Sequence, residues 1–163
     1  MSAVDDRLEQ LGLTLPAPPK LPTGVEIPFE WARRRGRYVY VSGHGALAAD
    51  GSPQGPFGRV PSEVSLEDAQ QSARLATLAM LASVRAAIGD FGNVAGWHMV
   101  NGFVNAEPGF AQTTLVLNPC SELILDLFGD DVGGHARWAI GVAALPLNVP
   151  VVIAAQLQIH PQG

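Results

Sequence analysis

A single cysteine, Cys120, stands in the 163-residue chain. No internal disulfide can form, and a cysteine-rich zinc site cannot be built. Charge is also sparse: charged residues make up 15% of the chain, and 10 basic against 15 acidic residues leave a net charge of −5. That balance lacks the basic face of a general nucleic-acid binder, so nucleic acid is not an expected partner. The run Arg33-Arg34-Arg35 with Arg37 departs from it and reads as a solvated strand end or turn. The 4 histidines are scattered, without H-x-x-x-H spacing, which argues against a metal site. No cofactor is expected either. No apolar run is long enough to span a bilayer, and M-S-A-V-D-D-R-L-E-Q lacks the apolar core of a signal peptide. The expectation is a soluble cytoplasmic protein with no membrane partner.

What is present is a hydrophobic fraction of 47%, enough for one domain over residues 1–163 with a sizeable core. Val4, Leu8 and Leu11 mark one face of a short helix ended by Gly12. Pro16, Pro18, Pro19 and Pro22 follow in an extended arm, so helix and arm occupy about residues 1–24. Residues 25–32 and 37–43 read as two strands of a hairpin, with R-R-R-G-R as the turn around Gly36. A Gly/Pro/Ser-rich loop leads to Ser65, whose S-L-E-D caps the strongest helix. Its small-residue face (Ala69, Ser72, Ala73, Ala76, Ala79) suits close packing on a sheet, and Gly89 ends it. A third strand is expected over Val94 to Asn105. A second helix is predicted to start at Asn118-Pro119 and end at Gly129. Strands after Arg137 and over Val151 to Ile159 complete the order.

Few helices and a short connection between the last two strands favour an α+β layer over a doubly wound sheet. A single mixed sheet covered on one face by two helices leaves its other face bare. Val142, Leu145 and the apolar last strand would then need a partner, which points to an oligomer.

The stretch G-G-H-A-R-W-A-I-G-V-A-A-L-P concentrates the candidate chemistry. His135 and Arg137 alternate onto one face at a strand's mouth. A guanidinium there cannot shed its charge and needs an anion. Either an acid of the chain, such as Asp126 or Glu122, supplies it, or a ligand's carboxylate or phosphate does. His135 either works on that ligand or hydrogen-bonds the Gly133-Gly134 turn.

Three motifs, V-Y-V-S-G-H at 39–44, V-S-L-E-D-A-Q-Q-S-A-R-L-A at the long helix, and H-A-R-W-A-I-G-V-A-A-L-P, resemble those of the RidA (YjgF) family, formerly called L-PSP endoribonucleases. The resemblance spans nearly the whole chain, making it a single RidA-like domain. It implies a chorismate mutase-like α+β fold, assembled as a homotrimer with clefts at the subunit interfaces. It also implies hydrolysis of reactive enamines and imines to keto acids and ammonia, with Arg137 clamping the substrate carboxylate. The departures are as informative. The glutamate that places water in deaminating members falls at Ala154, the tyrosine of the first strand at Phe29, and the residues after the arginine at Trp138 and Ala139. An insertion before the arginine leaves Asn118 either the counterpart of the family's asparagine or not.

The candidate catalytic residues are therefore His44, standing where the family has glutamine, His135, and Glu122 as a replacement acid. The candidate substrate-binding residues are Arg137, Phe29, Ser42, Gly43, Trp138, Asn118 and Cys120. His44 is either a general base or a turn cap. Trp138 walls the pocket, packs in the subunit interface or packs in the core. Cys120 is either a nucleophile or a small buried hydrophobe. Two functions stay open: an enzyme acting on a small carboxylated imine, enamine or carbonyl compound, or a ligand-binding regulatory trimer that kept the clamp and lost the chemistry.

Overall fold

Ser65 caps the longest helix as its position before L-E-D predicts. Its hydroxyl accepts from the Asp68 N–H at 3.0 Å and donates to the Asp68 carboxylate at 2.9 Å. The computed structural model describes residues 2–161; Met1, Gln162 and Gly163, at the ends of the expected 1–163 domain, lie outside the described residues. The helix, α2, spans Leu66–Ile88 and stops at Gly89, whose φ of 81° suits glycine. Ala69, Ala73, Ala76 and Ala79 are buried along it. Before it, α1 covers Ala3–Gln10 behind a capping box of Ser2 and Asp5, and buries Val4 and Leu8. Ion pairs fasten α1 in place, Arg7 to Asp126 at 2.5 Å and Arg85 to Asp5 at 2.7 Å.

Strands β1 (Ala32–Arg35), β2 (Tyr38–His44), β3 (Val94–Asn105), β4 (Ala136–Val142) and β5 (Val151–Ile159) form one sheet in the order β1-β2-β5-β3-β4. The β3–β4 pair is parallel and the rest are antiparallel, so the sheet is mixed. Helices α2 and α3 (Thr113–Gly133) pack on it. Val100 and Val104 of β3 and Ile153, Ala155 and Leu157 of β5 are buried between sheet and helices. This is the expected α+β layer. The other face carries exposed Tyr40, Trp138 and Ile140. Exposure falls on these side chains more than on Val142 and Leu145, which are half-buried.

Two expectations need correction. The strand expected over 25–32 is only Ala32–Arg35, because Pro28 offers no N–H to a ladder. The three arginines therefore lie in β1, and the turn is Gly36-Arg37, with Gly36 at φ 58°. The second helix begins at Thr113, ahead of Asn118-Pro119, so Pro119 sits inside it. Proline removes the N–H that would bond the Leu115 carbonyl. The Gln70 amide on α2 donates to that carbonyl instead, at 2.9 Å. The chain also runs past Gly129, which kinks it at φ 75° and ψ 169°.

Helix α3 approaches β3 where Gly102 presents no side chain; a Cβ there would sit 2.2 Å from Leu117 Cδ1. Gly102→Ala is expected to lower stability by about 1–3 kcal/mol through overpacking, read as a lower urea midpoint with an unchanged denaturant slope.

Candidate functional site

Arg137 pairs with Val100 in the β3–β4 ladder, and Val100 is buried under the helices, so both side chains lie on the helix side of the sheet. There the guanidinium meets three successive turns of α3. Nη1 donates to Ser121 Oγ at 3.0 Å, and Nη2 to Asn118 Oδ1 at 3.0 Å and to the Thr114 carbonyl at 3.3 Å. All three acceptors are neutral. The acids considered as partners are elsewhere: Asp126 is held by Arg7, and Glu122 is exposed on α3 without a bond to Arg137. None of the ion pairs among the described residues involves Arg137. The fork is thus oriented but not neutralised, and it keeps N–H groups to spare.

His135 reaches back into the same cluster. Its Nδ1 lies 2.6 Å from the Gly133 carbonyl and its Nε2 2.9 Å from Ser121 Oγ. A carbonyl only accepts, so Nδ1 carries the proton and Ser121 donates to Nε2. Both readings of His135 meet here: it anchors the glycine turn and still presents a nitrogen to the cluster.

The remaining candidates gather on the opposite face. Ala154 pairs with Asn101, and Asn101 with Trp138, setting these three side by side on the bare side of the sheet. A cavity of about 440 Å3 there is lined by Phe29, Glu30, Ser42, Asn101, Ala154 and Gln156. The Ser42 hydroxyl donates to the Glu30 carbonyl at 2.8 Å and ties down the segment that carries Phe29. Gly43 has no room for a side chain, since a Cβ would lie 2.7 Å from Val152 Cγ1. Glu30 is the one carboxylate in this cavity, and it bonds Arg33 at 2.5 Å. Within one chain, then, the candidates form two groups on opposite faces: Asn118, His135 and Arg137 on one, Phe29, Ser42, Gly43 and Trp138 on the other.

Atu1372 from Agrobacterium tumefaciens, a protein of unknown function, is 34% identical and superposes with a TM-score of 0.83 over 96% of this chain and 92% of its own. Protein TCP17 of Trypanosoma cruzi is 32% identical over 153 residues, 94% of this chain and 92% of TCP17. A candidate endoribonuclease from Shewanella oneidensis MR-1 matches at a TM-score of 0.86 over 97% of this chain and all of its own, with 22% identity. No family model matches the sequence. The chain has the RidA fold and belongs to one family with Atu1372 and TCP17.

Against the RidA pattern, two candidates take other places. Cys120 is fully buried, and burial pushes its thiol up to about 11, against smaller opposing effects of Thr77 and Arg137. It is a core residue closed to substrate, and the expectation that it lines the site is withdrawn. His44 is 2% exposed, beside Trp31 at 5.2 Å between ring centres. Its Nδ1 donates to the Ser42 carbonyl at 2.7 Å, and Nε2 accepts from Ser83 at 2.8 Å. Both nitrogens are taken, which fits the turn cap and leaves no free base. Trp138 is 58% exposed, so it is not core in the single chain. Ser121, Thr114 and Glu30 were not singled out in the sequence. Ser121 lies one helical turn after Asn118, but nothing in the sequence shows that this turn lies against Arg137. Among the described residues no His/Cys/Asp/Glu cluster could hold a metal ion, and no helix is long and apolar enough to cross a membrane.

Burial lowers the His44 pKa below its ordinary 6.5, partly opposed by the Ser42 carbonyl. The unfolded chain takes up a proton near that value which the folded chain refuses. Stability is therefore full above it and falls as the pH drops below it. His44→Gln, which cannot titrate, is expected to flatten the acid slope of the urea midpoint between about pH 7 and 5; an unchanged slope would show that another group sets it.

Proposed function

We propose that this chain binds a small carboxylated imine, enamine or carbonyl compound through Arg137 and processes it at a site completed by a second subunit of a homotrimer. The observation that carries this reading is the guanidinium held by Ser121, Asn118 and the Thr114 carbonyl with no carboxylate beside it. A planar fork with neutral supports and spare donors matches a ligand's carboxylate. The two groups of candidates cannot meet within one chain, since the sheet separates them. Joining the clamp of one subunit to the Ala154 cavity of its neighbour brings both to one ligand, and would also cover Trp138 and Ile140. The cavity supplies polar groups from Ser42, Asn101 and Gln156 for orientation.

A second reading has its own support. Ala154 stands where deaminating members of the RidA family place the glutamate that positions water, and Glu30 is occupied by Arg33. On that reading the trimer binds the carboxylated ligand without turning it over.

Release of ammonia from freshly generated 2-aminoacrylate separates the two. The enzyme reading expects turnover by the wild-type protein and its loss in Arg137→Ala. Binding without turnover, seen as thermal stabilisation by pyruvate that Arg137→Ala weakens about 10–100-fold, as expected for hydrogen bonds to a charged group, supports the regulatory reading. Stabilisation of wild type and Arg137→Ala alike would contradict the clamp itself.

A further inference from the structure

Among the described residues are two Ser–His pairs of the same local design. His44 donates from Nδ1 to the carbonyl two residues before it and accepts from Ser83; His135 does the same with Gly133 and Ser121. The first pair is sealed, with His44 2% and Ser83 8% exposed, and it serves the fold. The second differs in two respects. Ser121 and His135 are both half-buried rather than enclosed, and Arg137 Nη1 lies 3.0 Å from Ser121 Oγ. One hydroxyl oxygen is thereby set between a base and a fixed positive charge. Neither neighbour depends on it for placement: Gly133 orients the imidazole, while Asn118 and Thr114 hold the guanidinium.

A nucleophile within hydrogen-bond reach of a base, and that base oriented by a third group, is the arrangement that activates serine. We propose that Ser121 is a nucleophile with His135 as its base, acting on small esters whose acyl group carries a carboxylate. The inference rests on the reading of Arg137 as a carboxylate clamp, which would bring the ester carbonyl to Ser121. As Oγ adds to the carbonyl carbon, its proton passes to His135 Nε2 and the carbonyl π pair moves to oxygen, in the field of the Arg137 cation. Collapse of the adduct expels the alcohol, which takes that proton from His135. The acyl group stays on Ser121 until water adds to its carbonyl carbon, giving a proton to the same nitrogen; collapse breaks the Oγ–acyl bond, releases the free acid and returns that proton from His135 to Ser121 Oγ. No oxidant, reductant or further reactant is needed.

Two activated esters test this on the full chain: 4-nitrophenyl hydrogen succinate, which carries a carboxylate, and 4-nitrophenyl acetate, which does not. The expected result is a burst of nitrophenolate with the acyl group mapped by mass spectrometry to Ser121 and none on Ser83. His135→Gln should slow acylation about 100-fold or more, at an unchanged thermal midpoint. Arg137→Ala should remove the preference for the succinate ester. Mapping on the wild-type protein requires no variant to fold. Acyl groups found only on other residues, or on none, overturn the proposal even if pyruvate still binds through Arg137. Acylation of Ser121 by both esters without preference supports the nucleophile and overturns the carboxylate specificity, which is the failure of the clamp reading and not of the pair.

Discussion

An arginine cannot escape its charge by losing a proton, so wherever the fold places one away from bulk water something must answer it. Here the answer within the chain is incomplete. Arg137 is fixed by a serine hydroxyl, an asparagine oxygen and a backbone carbonyl, and by no acid among the described residues. Much of the structure serves that arrangement. The parallel β3–β4 pair turns Arg137 towards the helices. The early start of α3 aligns Thr114, Asn118 and Ser121 beneath it. Gly102 lets Leu117 close on the sheet so that the helix lies near enough to reach. Asp126, one of the two counter-ions named from the sequence, is instead drawn to Arg7.

The layer architecture was readable in the sequence because its signals are local. Ser65 and Gly89 bracket α2, Gly36 turns the hairpin, and β-branched and aromatic residues mark β2. The misplaced start of α3 depended on tertiary rescue. Pro119 looked like a helix start because proline is easily accommodated there; Gln70, far away in sequence, supplies the partner that lets the helix begin earlier. The site was legible in the same uneven way. Arg137 and His135 stand out through their spacing in one strand. Ser121 does not, because its importance comes from α3 lying alongside β4. His44 and Cys120 looked equally chemical in the sequence, and only their burial separates them from the cluster around Arg137.

The split of the candidates between the two faces would, on the proposed reading, give the bare side of the sheet a role beyond packing. A single chain offers an oriented cation on one side and a polar cavity around Ala154 on the other. Assembly would then be part of the chemistry. On the proposed reading an alanine at 154 need not end reactivity, because on the other face of the sheet the Ser121 hydroxyl donates to His135 Nε2 at 2.9 Å beside the Arg137 cation.

The most direct test of this account is a crystal structure of the protein grown with pyruvate. The account predicts the pyruvate carboxylate on the spare N–H groups of Arg137, with the Ala154 cavity of a neighbouring subunit across from it. An aspartate or glutamate of a neighbouring subunit paired with Arg137, and pyruvate absent, would instead make Arg137 an assembly residue and contradict the account.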